Sequence, residues 1–377
     1  MDSVISIFKE RIKQAATSKQ TLRIQGGNTK DFYGEHNASH AVLDTREHAG
    51  VVSYEPSELV VTVLAGTPLA QLEQLLSTQG QCLAYEPPHF GAAATVGGMV
   101  AAGLAGPSRA NVGGVRDHVL GAKMINGLGE ELTFGGQVMK NVAGYDVSRV
   151  LAGSMGTLGL ITEVSLKVLP VAPAEATLVC KLSQHDALEL LHRWGGQALP
   201  LNASAWLHDT SAHPAQDLLF VRLRGAVAAV ESACPRMIAD AQAVGGSASR
   251  MENAQAVKDW QAGREQTVPF FHAPSPDVCL WRLSLPQTAA VLNLPYPTYI
   301  EWHGGLRWLW APASAAAQLR QAAQQAGGHA TLFRRAQNGT ADTPVFSDLA
   351  QVQQRIQREL QKQFDPHGVF NTGRLGI

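Results

Sequence analysis

Glu86-Pro-Pro-His-Phe-Gly-Ala-Ala-Ala-Thr-Val-Gly-Gly-Met-Val-Ala-Ala-Gly-Leu-Ala-Gly106 is soon followed by Gly113-Gly-Val-Arg-Asp-His-Val-Leu-Gly121. Eight glycines fall between Gly91 and Gly121, and Arg109 is the only formal charge between Pro87 and Val115. Glycine weakens helices and strands, so a run this dense needs a reason. It lets backbone approach a ligand closely and turn its N–H groups toward anions. A flexible linker is rich in Ser, Lys and Glu, whereas this run is rich in Ala, Val, Leu and Met. The stretch reads as the wall of a site for a large phosphate-bearing cofactor.

The chain has 377 residues, which suits two domains. Hydrophobic residues make up 45%, enough for real cores, and the net charge is −1 with no basic stripe. That balance argues against nucleic acid as a partner. Charged residues are only 16%, below the roughly 25% of ordinary soluble domains. Such a surface fits burial against partner subunits or a drift toward Ala and Gln. The N-terminus lacks a signal-peptide pattern. No run of about 18 apolar residues is present to span a membrane. Cys82, Cys180, Cys234 and Cys279 are scattered without a CxxC, so neither an iron–sulfur cluster nor a zinc ribbon is expected, and no metal site is read.

Val4, Ile5, Phe8 and Ile12 predict a first helix over 3–16. Strands are expected at 21–25, 41–44, 51–54 and 59–64. A helix capped by Thr67 should follow and end before Gly80. A hairpin pairs 119–125 with 131–134 around Asn126-Gly-Leu-Gly129, and 158–169 closes the first region. Pro170-Val-Ala-Pro173 marks a boundary. Beyond it, strands are expected at 177–182, 205–207, 218–224, 278–283, 298–302, 306–310 and 329–333. Helices are expected after Ser183, up to Val244 with a kink or break at Pro235, over 314–325 and over 346–364. The fold class is α+β. A domain over 1–170 precedes an antiparallel sheet with helices on one face over 171–364, and the tail 365–377 follows.

Several segments recur in a telling order: Arg23-Ile-Gln-Gly-Gly-Asn-Thr29, Leu59–Gly66, Pro87–Gly98, Val115–Gly121, Lys140–Asp146, Gly153–Thr162 and Phe370-Asn-Thr-Gly-Arg374. Each glycine taken alone also reads as a structural turn. Arg23–Thr29 fits neither GxGxxG nor a Walker loop. Together the set resembles the vanillyl-alcohol-oxidase-type FAD-binding flavoproteins of the PCMH fold. Phe134-Gly-Gly-Gln-Val-Met-Lys-Asn-Val-Ala-Gly-Tyr-Asp146, Val168-Leu-Pro170 and Glu301-Trp-His-Gly-Gly-Leu-Arg-Trp308 narrow it to the FAD-binding E subunits of bacterial glycolate oxidase.

The resemblance implies a two-lobed FAD-binding domain with a ferredoxin-like antiparallel cap. It implies pyrophosphate held by the amides of Gly26, Gly27, Asn28 and Thr29, with Pro88, Thr95, Gly97 and Gly98 lining pyrophosphate and flavin. Gly103 and Ser108 would allow a close turn, and Asp117 and Val119 would sit by the cofactor. Gly156, Gly159 and Ile161 would pack near adenine or ribose. Asn371 and Arg374 would return the tail to the flavin. Relatives with covalent flavin carry a histidine in the first loop; Asn28 stands there, so non-covalent FAD is expected. His89 reads as an alternative attachment point or as a pocket histidine. Lys140 reads as a flavin neighbour or a surface lysine, and Tyr145 and Asp146 as an anchor and a helix cap.

The His-x-Gly-Asp-Gly-Asn motif of related 2-hydroxy-acid dehydrogenases is absent. His303 is the substitute candidate for the base that takes the hydroxyl proton, and Arg307 for the partner of a substrate carboxylate. Each also reads as a structural residue of a strand. The resemblance implies a subunit that oxidises glycolate or D-lactate beside a sister flavoprotein subunit and an iron–sulfur subunit. The alternative is a supporting FAD relay, and an NADPH reductase is the third class. The expected location is the cytoplasm, free or peripheral at the inner face of the cytoplasmic membrane.

Overall fold

The computed structural model describes residues 2–35, 41–136, 146–211, 213–339 and 342–376. The chain divides into two compact units. The first comprises 1–105, 113–171 and 348–377, and the second comprises 106–112 and 172–347. Two placements differ from the expected boundaries. The helix Gln351–Phe364 groups with the first unit, and the short segment 106–112 leaves the glycine-rich stretch to join the second.

In the first unit, Val51–Glu55, Val60–Leu64, Leu160–Lys167, Val119–Ile125 and Glu131–Gly135 form, in that order, a five-stranded antiparallel sheet. A separate parallel pair joins Leu22–Gln25 to Ala41–Asp44. The helix Asp2–Ser18 buries Phe8, Ile12 and Ala15 against Leu22, Leu43, Ile125 and Phe370. The apolar spacing that predicts this helix is the spacing that seats it on the core. The tail adds to the parallel pair: the Leu22 amide donates to Val369 O at 2.6 Å, and the Asn371 amide donates to Leu22 O at 3.0 Å. Thr67 does not cap its helix. The cap position belongs to Pro68, while the Thr67 hydroxyl accepts from the Gly50 amide at 2.9 Å and donates to Leu64 O at 2.7 Å.

The second unit is an eight-stranded antiparallel sheet. Its strands are β1 (Ala174–Lys181), β2 (Leu201–Asp209), β3 (Gln216–Gly225), β4 (Ser247–Arg250), β5 (Cys279–Ser284), β6 (Thr298–Glu301), β7 (Leu306–Ala311) and β8 (His329–Arg334). The spatial order is β4-β1-β3-β2-β6-β7-β5-β8. Each half therefore repeats the ferredoxin-like order 4-1-3-2, and the halves meet at β2 and β6. In the first half both crossovers are helical: Gln184–Gly195 links β1 to β2, and Val227–Ala243 links β3 to β4. In the second half Ala316–Gln325 links β7 to β8, but no helix lies between β5 and β6.

Ser183 accepts from the Asp186 amide at 3.2 Å and caps the first crossover helix as expected. Its Leu188, Leu190, Leu191 and Trp194 are buried under the sheet. Burial of such side chains contributes about 1.5–3 kcal/mol each. Two expectations are corrected. Val227–Ala243 runs undivided through Pro235. The helices are not confined to one face: Trp260 of Asn253–Arg264 donates to Thr177 Oγ1 at 2.9 Å, whereas the alternating neighbours Ala176 and Leu178 face the opposite core.

Candidate functional site

A cavity in the first unit gathers the glycine-bearing segments. Gly26, Gly27, Asn28, Thr29, Thr95, Gly97, Gly98, Gly156, Gly159, Ile161, Asn371 and Arg374 all line it. The loop after Leu22–Gln25 turns through Asn28 at φ 60°, a left-handed conformation that Asn tolerates. The amides of Gly26, Gly27, Asn28 and Thr29 donate no hydrogen bond among the described residues. Four successive free N–H groups make a receptor for anionic oxygens.

The glycines are fixed by close approach of neighbouring segments. A Cβ on Gly27 would lie 1.5 Å from Ala93 O, and one on Gly26 would lie 2.4 Å from Thr95 Oγ1. A Cβ on Gly97 would meet Ala65 Cβ at 2.7 Å. These residues bring the 26–29 loop, the 91–98 segment and the end of Val60–Leu64 into contact. The Gly97 amide is committed to Ala65 O at 2.7 Å and the Gly98 amide to Thr95 Oγ1 at 3.2 Å. Their contribution is therefore shape rather than donors.

Asn371 and Arg374 face the cavity, but their polar atoms hold its loops. Asn371 Oδ1 accepts from the Ile24 amide at 3.0 Å, and its Nδ2 donates to Met155 O at 2.6 Å. Arg374 donates to Asp31 O at 2.6 Å and to Glu35 O at 3.2 Å. Burial lowers the Arg374 pKa, with Asp31 opposing.

Sequence reasoning missed Arg23 and Lys30 as lining residues. Arg23 Nε is buried with no hydrogen-bond partner, while its other nitrogens reach Gln25 Oε1 at 2.9 Å and Asp31 at 3.4 Å. Lys30 donates to His89 O at 3.1 Å. The signal was available: Arg23 and Gln25 share one face of a strand that runs straight into the Gly-Gly turn. An orphaned guanidinium nitrogen beside four free amides fits a phosphate-bearing cofactor.

Five expected lining residues are not on this cavity. Gly103, at φ 64°, ends the helix Val96–Ala102, and a Cβ there would lie 2.9 Å from Gly153 backbone. Asp117 Oδ2 instead accepts from the Gly114 amide at 2.8 Å. Val119 is buried at the head of its strand, and Pro88 is buried elsewhere in the first unit. Ser108 is buried within the segment assigned to the second unit. His89 is also off the cavity and pairs with Glu73 at 3.0 Å. Asp146 accepts from Ser148 Oγ at 3.0 Å, and the cap position of the following turn belongs to Val147. Lys140, Tyr145 and most of the 134–146 phrase lie outside the described residues.

The structure withdraws support from both catalytic candidates of the second unit. Arg307 is 1% exposed and donates to Ala290 O at 2.7 Å, Ala289 O at 2.5 Å and Gly304 O at 3.4 Å. It caps the carbonyls of the crossover that lacks a helix. Burial brings its pKa down to about 10. His303 is 7% exposed, and burial brings its pKa down to about 4. Its amide donates to Ser204 Oγ at 2.9 Å, and Ser204 Oγ lies 3.0 Å from its Nδ1. The Ser204 hydroxyl has no other acceptor among the described residues, so satisfying it makes Nδ1 the acceptor and leaves the proton on Nε2. Burial that favours the neutral ring makes it a weak proton acceptor.

Trp302 and His303 are consecutive non-glycine residues at φ 55° and 57°. Such backbone persists only where its surroundings hold it. The Trp302 indole donates to Gly106 O at 2.9 Å, and the guanidinium of Arg109 lies 4.7 Å from its ring. Glu301 is buried and accepts from Trp308 Nε1 at 2.7 Å; burial pushes its pKa up to about 7, against Trp308 and Arg282. Among the described residues no cluster of His, Cys, Asp or Glu is arranged to hold a metal. No helix among them is long and apolar enough to cross a membrane.

Comparison with known proteins agrees with this cavity. Residues 8–135 match the FAD-binding domain family. Over 97% of this chain and 73% of the other, the fold matches solved alkyldihydroxyacetonephosphate synthase at a TM-score of 0.69 and 15% identity. The chain is thus an FAD-binding flavoprotein of PCMH-type architecture. It is also 42% identical, over 97% of its length and 95% of the relative's, to the glycolate oxidase subunit GlcE of Escherichia coli (strain K12). It belongs to that family. A D-lactate dehydrogenase of Anaerostipes hadrus is 35% identical over 34% of this chain and 27% of its own. The glycolate oxidase subunit GlcD of Bacillus subtilis (strain 168) is 30% identical over 36% and 29%.

Proposed function

We propose that this chain is the FAD-binding subunit of a multi-subunit 2-hydroxy-acid oxidase whose substrate is glycolate, with a sister flavoprotein subunit and an iron–sulfur subunit as partners. The observation that carries the reading is the run of four uncommitted amides, Gly26 to Thr29, beside Arg23 Nε on a cavity walled by collision-fixed glycines. The amides and Arg23 hold the pyrophosphate. Ile161, Gly156 and Gly159 supply apolar and close-fitting wall, and Asn371 and Arg374 keep the loops in register. FAD, when bound, accepts the hydride of the 2-hydroxy acid. With Asn28 in the first loop and His89 paired to Glu73, the cofactor is non-covalent. The partners and the glycolate substrate are supported by the likeness to a named glycolate oxidase subunit. The setting is the cytoplasm, free or at the inner face of the cytoplasmic membrane.

A second reading has an observation in its favour. Arg307 and His303 are committed to Ala289, Ala290, Gly304 and Ser204, which suits a chain that carries FAD while a sister subunit holds the substrate. Anaerobic mixing of the purified chain with glycolate separates the two. Flavin bleaching by the chain alone supports the oxidase reading. Bleaching only when the sister subunit is present supports the relay. A chain that purifies without FAD and takes up none refutes both.

A further inference from the structure

We propose that Asp31 is a positioning residue for the cofactor: its carboxylate, set between Arg23 and Arg374, fixes the Arg23 guanidinium and leaves Nε free for the pyrophosphate. The proposal rests on the reading above, in which Arg23 and the Gly26–Thr29 amides hold that group. All of these residues belong to the first unit and line its cavity.

The three nitrogens of the Arg23 guanidinium meet three different fates. Nη2 donates to Gln25 Oε1 at 2.9 Å, and Nη1 lies 3.4 Å from Asp31 Oδ2. Nε is buried and has no hydrogen-bond partner. A buried donor without an acceptor is costly, so this arrangement is one that a ligand completes. Gln25 stands two residues further along the same strand and restrains one end of the fork from the same sheet face. Asp31 restrains the other end from a different segment. Its own amide donates to Asn28 O at 3.2 Å and closes the turn that displays the free amides. The turn that makes the anion receptor therefore also delivers the acceptor for Arg23.

An acid on this wall needs a reason. Among the described residues, Arg23, Lys30 and Arg374 are the cations of the cavity lining, and Asp31 is its one acid. A carboxylate beside a diphosphate repels it, a cost that is offset when the acid organises the cations. Asp31 does so with both oxygens: Oδ2 faces Arg23, and Oδ1 lies 3.5 Å from Arg374 Nη2. The same Arg374 nitrogen donates to Asp31 O at 2.6 Å, which pins the residue through its backbone. The three charges are coupled: burial lowers the Arg374 pKa, Asp31 raises it and Arg23 lowers it further. Without the carboxylate the two guanidinium groups repel across the gap, and Arg23 keeps only Gln25 to orient a long flexible side chain.

The test measures FAD binding to full-length apo-protein, by the quenching of flavin fluorescence, across a double-mutant cycle. Arg23→Gln should weaken FAD by about tenfold or more, the loss of one charge-assisted donor. Asp31→Asn should weaken it by about three- to tenfold in the wild-type background and by less than about twofold in the Arg23→Gln background. Asp31→Ser decides the matter if Asp31→Asn does not fold. Tighter FAD binding by Asp31→Asn would mark Asp31 as a repelling charge only, and overturns the proposal. So does an equal loss in both backgrounds, which marks a role in the fold alone. An Arg23→Gln protein with wild-type affinity sinks the reading of Arg23 as a pyrophosphate ligand, and the Asp31 proposal with it. Loss at Arg23 without loss at Asp31 sinks the Asp31 proposal alone.

Discussion

Gly27→Ala should uncouple two walls of the FAD cavity. The added Cβ would lie 1.5 Å from Ala93 O, 2.3 Å from Ala93 C and 3.0 Å from the Ala94 amide nitrogen, and all three are backbone atoms. Ordinary carbon contacts begin near 3.5 Å, so the 26–29 loop and the 91–94 segment must part by about 2 Å. Over-packing that side chains absorb costs about 1–3 kcal/mol; a backbone-on-backbone collision sits at or above the upper end. Gly98→Ala is the matched control. Its Cβ would meet Thr95 Oγ1 at 3.1 Å, a contact that a few tenths of an ångström relieve. Inside the helix Val96–Ala102, replacing glycine by alanine returns about 0.5–1 kcal/mol. Denaturant unfolding of the apo-proteins should show Gly27→Ala destabilised by about 3 kcal/mol or more and Gly98→Ala changed by less than about 1 kcal/mol. Gly27→Ala should also lose FAD on gel filtration. A Gly27→Ala protein with wild-type stability and full flavin content would refute the argument that this glycine is set by close approach.

Three further outcomes are expected. Acid precipitation should release all the yellow colour, because Asn28 occupies the loop and His89 is held by Glu73; flavin left on the pellet contradicts this. Arg307→Met should destabilise the protein by about 1–3 kcal/mol by taking the donors from the Ala289, Ala290 and Gly304 carbonyls. Whatever folds should bind glycolate normally, and a selective loss of glycolate affinity at normal stability would restore its catalytic reading. Glu301 and His303 should give opposite pH slopes. Glu301, raised from 4.5 to about 7, withdraws stability as pH rises through that range, and His303, lowered from 6.5 to about 4, withdraws it as pH falls. Each slope is on the order of 1.4 kcal/mol per pH unit, so they cancel between about pH 4.5 and 6.5. Glu301→Gln should expose a stability that rises with pH there and His303→Asn one that falls; flat curves in both variants count against the buried ionisations.

The cofactor half was legible because its signals are local. Glycines with no room for a Cβ cannot be replaced cheaply, so Gly26, Gly27, Gly97 and Gly156 stand out in sequence and do line the cavity. Gly103 makes the close turn expected of it, while Asp117 turns away from this cavity. Gly103 packs closely against Gly153, and Asp117 secures Gly114, both for the fold's own needs. A glycine reports that something comes near; it does not say whether that is ligand or chain. Ser108 is off this cavity for another reason: nothing in the sequence shows that 106–112 groups with the second unit.

The second unit misled because its chemistry depends on an event the sequence does not display. Its two halves share one strand order, but the β5–β6 crossover has no helix. Without a helix, carbonyls at Ala289 and Ala290 have no ladder to accept from. A long, multi-donor cation is an economical remedy, and Arg307 reaches them from β7. The residue that looks most like a substrate clamp is thus explained by the missing helix. An arginine whose donors are all taken by backbone carbonyls serves the fold.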